Sequence, residues 1–185
     1  MGKIVDYIDQ NAIAYGNLLT KGYNWTFGGT KLDLANEMLT IAPLFESVGF
    51  LNADPTSGAF FTAVYLFISH IQKITNKRMY KLEKDALEKG LLNLDIVKNK
   101  NFDIGLGIFW NIAGLTHTLP NHSKGYFINN RHQTELAVAG GHILRGSSFL
   151  VMLADDLPPR KNCLSRGLDK LLEFSDKYSP KTQIA

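Results

Sequence analysis

The stretch from Arg131 to Asp156, RHQTELAVAGGHILRGSSFLVMLADD, decides the fold, because it is the longest segment with a helical apolar period. Leu136, Ala139, Ile143, Gly146, Phe149, Leu150 and Leu153 recur at intervals of three, four and seven, which sets them on one stripe of a helix. His132, Glu135 and His142 fall on the same stripe. Val138, Leu144, Val151 and Met152 make the opposite side apolar too, so the spacing predicts a central helix near 131–156 enclosed by its neighbours. Gly140, Gly141 and Gly146 work against it, since each costs roughly 0.8 to 1 kcal/mol relative to alanine inside a helix. They imply close packing of another helix, a break at Gly140-Gly141, or backbone kept bare for a ligand.

Outward from this segment the rest of the chain also reads as helices. Ile4, Val5, Ile8, Ala12, Ile13 and Tyr15 fit a first helix ending near Gly16 to Gly22, and GYNWTFGG from Gly22 to Gly29 is a loop by composition. Its Tyr23, Trp25 and Phe27 pin the loop to the core or line a pocket. Thr30 is placed to cap a second helix from Lys31, with Asp33 in the first turn, and Pro43 is expected to kink or divide that helix. Asp54-Pro55-Thr56 is a helix start, and GAFFTAVYLFISHIQKI after it is apolar on most faces, as a buried helix would be. A helix over Lys81 to Lys89 stops at Gly90, and LLNLDIVKNKN is a mixed connector. Asp103 then caps IGLGIFWNIAGL, whose glycine-rich habit matches the 131–156 segment, so these two helices should pack together. Leu157-Pro158-Pro159 ends the central helix, and Leu164, Leu168, Leu171, Leu172 and Phe174 mark an amphipathic last one.

Strand signals are scarce, apart from a short hairpin that Tyr126 to Ile128 would permit. The reading is all-α, a single compact bundle-like domain over 1–185 with about six or seven helices. Twenty basic and seventeen acidic side chains give a formal charge of +3, too mild to require a nucleic acid or another charged partner. One cysteine, Cys163, excludes an internal disulfide framework and suits a reducing compartment, so the cytoplasm is the expected location. MGKIVDYIDQ lacks the apolar run of a signal peptide, and Gly58 to Ile68 is too short to span a bilayer, so no membrane is expected.

Chemistry concentrates in the histidines, four of which lie between positions 117 and 142. On one straight helix His132 and His142 stand roughly 15 Å apart, too far to share an ion, whereas His132 and Glu135, three residues apart, can converge. A loop returning the chain from His117 through His122 would add two imidazoles. His117, His122, His132 and Glu135 are therefore the candidate ligands of a divalent metal, or the lining of a small-molecule site, at the 117–135 junction. No HExxH or paired ExxH motif accompanies them.

Gly141 to Ser148, GHILRGSS, lies near the phosphate-loop pattern, but Ser147 occupies the lysine position. Arg145 could meet an anion if the chain breaks at Gly140-Gly141. Asp155-Asp156-Leu157-Pro158 resembles the start of the aspartate-rich motif of isoprenyl diphosphate synthases. Pro159 replaces the third aspartate, so the pair reads as helix-ending acids. Two further functions stand beside the metal or small-molecule site: a non-catalytic interaction protein, a homo-oligomer assembling through apolar glycine-bearing helices, and nucleic-acid binding through Lys73 to Lys84 or Arg160 to Lys170.

Overall fold

The computed structural model describes the backbone of residues 2–90, 94–122, 130–161 and 163–178, and side chains over 6–52, 54–90, 102–116, 134–161, 163 and 165–174. Six helices follow one another: α1 (Gly2–Phe27), α2 (Lys31–Ala53), α3 (Pro55–Glu88), α4 (Leu94–His122), α5 (Asn130–Met152) and α6 (Cys163–Tyr178). No strand occurs among the described residues, as the sequence implies. The hairpin expected at Tyr126 to Ile128 lies outside them. Among the described residues no helix is long and apolar enough to cross a membrane.

Capping follows the residue types. Thr30 and Asp33 form a capping box at the start of α2: the Asp33 N–H donates to Thr30 Oγ1 at 3.3 Å, and the Thr30 N–H to Asp33 Oδ2 at 2.8 Å. Asp54 joins α2 to α3. Its N–H closes α2 on Phe50 O at 3.0 Å, while its carboxylate accepts from Thr56 N–H at 3.1 Å and from Ser57 N–H and hydroxyl. The Ser57 hydroxyl, then those backbone donors, hold that carboxyl below its usual range. Gly28, at φ 80°, and Gly90, at φ 63°, close α1 and α3 in the left-handed region that suits glycine.

Several sequence-based boundaries are corrected. Gly22 to Phe27 is not a loop but the last turn and a half of α1, so the chain between α1 and α2 shrinks to three residues, Gly28 to Thr30. Pro43 does not divide α2. It sits fully buried in a continuous helix, where contacts along α5 outweigh the roughly 3 kcal/mol that an internal proline costs. The helix expected from Pro55 through Ile74 and the one expected at 81–89 are a single helix of 34 residues. Asp103 lies inside α4 rather than capping it, because helix continues back through most of the expected connector to Leu94.

The 131–156 segment is, as its periodicity implies, the centre of the molecule. α5 packs chiefly against α2 and α4, with α1 crossing near its C-terminal end, and α3 lies against α2. From Thr134 to Ala154 only Leu136 is exposed. Gly107 faces Leu150 while Gly114 faces Ile143 and Ala139, so α4 and α5 run antiparallel, and the two glycine-rich helices pack together as expected. The glycines serve close approach. A Cβ on Gly146 would stand 2.7 Å from Gly107 O, one on Gly141 2.8 Å from Ala42 O, and one on Gly16 would press on the Leu150 carbonyl. There is no break at Gly140-Gly141. Gly140 itself faces only the Phe45 ring, at an ordinary 3.5 Å.

The two adjacent glycines should therefore separate in a stability measurement. Gly140→Ala should be neutral or stabilising by up to about 1 kcal/mol through helix propensity. Gly141→Ala should lower the unfolding midpoint, because its methyl group meets backbone that has nowhere to go. Equal midpoints for the two variants would contradict this packing.

Candidate functional site

Ionisable residues avoid the interior of a folded chain unless they are paired, since an isolated charge there costs several kcal/mol. The centre of this bundle nevertheless holds Arg145 and Glu46, each 0% exposed. Arg145 comes from α5 and Glu46 from α2. Arg145 Nη2 donates to Glu46 Oε2 at 2.6 Å and Nε to Oε1 at 3.1 Å, a two-bond fork. His142, one turn before Arg145, places Nδ1 3.1 Å from Glu46 Oε1, where an Nδ1–H donates to the carboxylate.

The other two bundle helices complete the shell. Arg145 Nη1 donates to Ser69 Oγ of α3 at 3.0 Å. Its guanidinium carbon lies 5.2 Å from the Tyr65 ring centroid and 5.4 Å from that of Trp110 on α4, within cation–π range. Tyr65 stacks on His142, with centroids 5.6 Å apart and planes 11° from parallel, and Trp110 meets the same imidazole edge-on at 5.0 Å. One guanidinium thus gathers side chains from α2, α3, α4 and α5. Gly141 makes room for it, because any side chain there would collide with the Glu46 stem.

Polarity continues from this centre toward one end of the bundle. Gln72 Nε2 donates to Ser148 Oγ at 3.0 Å, and Ser148 Oγ donates to Arg145 O at 2.7 Å. Asn76 follows one turn later, also buried. Lys31, 0% exposed, donates to both Glu83 oxygens, at 2.9 and 2.7 Å, and to Ala154 O at 2.8 Å, ties that fasten the start of α2 to α3 and to the end of α5. Asn24 donates to Gly29 O at 3.0 Å and to Pro158 O at 3.1 Å, and accepts from Arg160 Nε at 2.5 Å. The acid pair after α5 is structural: Asp155 Oδ2 accepts from Asn17 at 3.2 Å and Asp156 Oδ2 from the Tyr80 hydroxyl at 2.8 Å.

The residues read from the sequence divide between what is described and what is not. His117, His122 and His132 lie outside the described side chains; of the four candidate ligands only Glu135 is within them, half-buried on α5. Among the described residues no group of three His, Cys, Asp or Glu side chains could hold a metal ion. His142, which spacing separates from His132, belongs to the central network. Arg145 does meet an anion, but the anion is Glu46 and the helix is unbroken, which corrects the condition placed on it. Glu46 escaped notice as a lone acid in LFESVGF. A legible signal existed on α3, where Ser69, Gln72 and Asn76 repeat at three and four within an apolar run and so mark an inward polar stripe.

A shallow surface pocket of about 320 Å³ lies between α1 and α6, lined by Trp25, Cys163, Arg166, Gly167 and Lys170. Arg166 Nη2 donates to Trp25 O and its guanidinium sits 5.8 Å from the Trp25 ring. Of the three aromatic residues at this end of α1, Trp25 lines the pocket and joins α1 to α6, while Tyr23 packs against the core formed by Leu34, Ala35, Val151 and Met152. Tyr23 donates to Glu37 at 2.5 Å.

Removing one member of the central pair strands the other in a dry interior. Glu46→Ala or Arg145→Ala should each cost about 3 to 5 kcal/mol in denaturant unfolding, whereas the double variant Glu46→Leu/Arg145→Met should recover much of it. Additive losses in that cycle would show that the two charges do not act as a pair. No protein-family model, curated protein or solved structure matches this chain.

Proposed function

We propose that this protein is a non-catalytic interaction component that works by covering the apolar outer faces of its helices against another apolar surface. The observation that carries this is the contrast between inside and outside. The central ions are consumed by each other, while Phe60 and Phe67 are each 66% exposed and Leu44 61%. A phenylalanine or leucine left in water forgoes roughly 1.5 to 3 kcal/mol that burial would supply, and contiguous exposed apolar surface of this kind marks a contact region. The glycine faces are not the contact. They are occupied within the chain, so association uses the bulky residues on the other sides of the helices.

The reading requires that the full chain not persist as a dispersed monomer in aqueous buffer. Sedimentation without detergent should show association, and Phe67→Glu or Leu44→Glu should weaken it. A stable monomer at high concentration, unchanged by either substitution, would sink this reading.

Divalent-metal or small-molecule binding at the 117–135 junction is a second proposal. Its support is that α4 ends at His122 and α5, antiparallel to it, begins at Asn130, so the candidate residues sit at one end of the helix pair. Elemental analysis of the purified protein should then find a stoichiometric ion that His132→Ala and Glu135→Ala release. Nucleic-acid binding ranks below both, because Lys31 and Lys73 are engaged within the chain and Glu83 and Glu88 interrupt the basic run.

A further inference from the structure

We propose that the α2–α5 bundle is embedded in a lipid bilayer, with acyl chains covering its outward faces and its basic end lying against anionic headgroups. The inference rests on the reading that these faces are covered, and it names what covers them.

The outward faces form a belt. From Thr40 to Asn52, α2 exposes no ionisable side chain; from Phe102 to Thr116, α4 carries only Asp103, partly buried; from Ala59 to Thr75, α3 exposes His70 and carries Lys73 partly buried, its ammonium bonded to Thr40. Phe45, Val48, Phe67, Phe109 and Ile112 stand within these stretches. The stretch on α3 rises about 24 Å and that on α4 about 21 Å, at 1.5 Å per residue. A bilayer's hydrocarbon core is about 30 Å thick and takes roughly 20 helical residues to cross. The helices α2 to α5 hold 23, 34, 29 and 23 residues. A single protein partner covers one side of a bundle, whereas this belt spans three helices arranged around α5.

The interior has the opposite polarity, and the packing matches it. Arg145, Glu46, His142 and Ser69 point into the bundle and bond to one another, and Gln72 bonds to Ser148 beside them, as ionisable and polar groups must where lipid lies outside. Gly49, Gly107, Gly114, Gly141 and Gly146 let backbones approach closely, the means by which helices associate when apolar burial gives no preference between protein and lipid. Mean hydropathy averages over both faces of a helix, so these inward polar residues lower it, while acyl chains meet the outward face alone.

Charge is distributed unequally between the two ends of the belt. Beyond Thr75, α3 exposes Lys77, Arg78, Lys81 and Lys84, and Arg160 and Lys161 lie exposed near the same end, together with the acids Asp33, Glu37, Glu88 and Asp155. The opposite end, at Asn52 to Ser57, exposes no lysine or arginine among the described residues. An excess of basic side chains beside an apolar belt suits an anionic leaflet. At the same end, α6 keeps Leu168, Leu171 and Leu172 exposed beside its charged face, the form of a helix lying in a headgroup layer.

The test uses the full chain expressed in bacteria. After membranes are washed with alkaline carbonate and floated through a sucrose gradient, the protein should rise with the lipid and leave it only in detergent. Recovery in the soluble fraction, or as a pellet that does not float, overturns the proposal. A soluble oligomer would overturn the lipid assignment alone; a soluble monomer would overturn the covered-face reading as well. For a second measurement, Phe67→Cys, Ile112→Cys and Lys81→Cys are each made in a Cys163→Ser chain and labelled with a membrane-impermeant maleimide in opened vesicles. Thiols at 67 and 112 should react about ten-fold more slowly than at 81 until detergent is added, since a thiol in lipid stays protonated and shielded. Equal rates at all three positions overturn the proposal.

Discussion

The rest of the structure depends on one buried ion pair, Glu46 with Arg145, because neither charge can be left in the interior alone and each fixes the helix that carries it. The guanidinium needs more than a carboxylate. Ser69, the faces of Tyr65 and Trp110, and His142 on the carboxylate oxygen shared with Arg145 Nε complete its surroundings. Those contacts come from four helices, so the pair sets their relative heights as well as their proximity. Apolar packing alone, being non-directional, would leave that height far less determined.

Glycine and charge are two parts of one arrangement. The glycines of α5 weaken it as a helix by about 3 kcal/mol in total. In return Gly141 gives Glu46 space beside α5, and Gly146 lets α4 approach until Gly107 O lies near its Cα hydrogens. A side chain at either place would push the neighbouring helix outward and stretch hydrogen bonds that hold the central charges. Lys31 repeats the logic at the bundle's end, where a fully buried ammonium finds the Glu83 carboxylate and the carbonyl of Ala154 just past α5.

The placement of polar and apolar residues explains why ordinary sequence reasoning about burial misleads here. A run such as GAFFTAVYLFISHIQKI implies burial because it is apolar, yet Phe60, Phe67 and Ile71 face outward while Ser69 and Gln72, and Asn76 just after the run, face in. The spacing is helical either way. Periodicity reveals that two faces differ, and it does not reveal which of them meets the neighbouring helices.

By itself the sequence determined the helical class, the central place of the 131–156 segment, its pairing with the glycine-rich helix before it, and the caps at Thr30 and Asp54. Each of these rests on short-range chemistry: a 3.6-residue repeat, or a side chain bonding to its own backbone a few residues on. It also offered Arg145 to an anion, but only through a break at Gly140-Gly141 that the structure does not have. Tertiary structure alone decided that Glu46, 99 residues away in the chain, is that anion, that Pro43 is carried inside an unbroken helix, and that the glycines admit helices. These outcomes depend on what stands opposite a residue across a helix contact. Local spacing holds no record of that partner, because the free energy that selects it arises only when the helices meet.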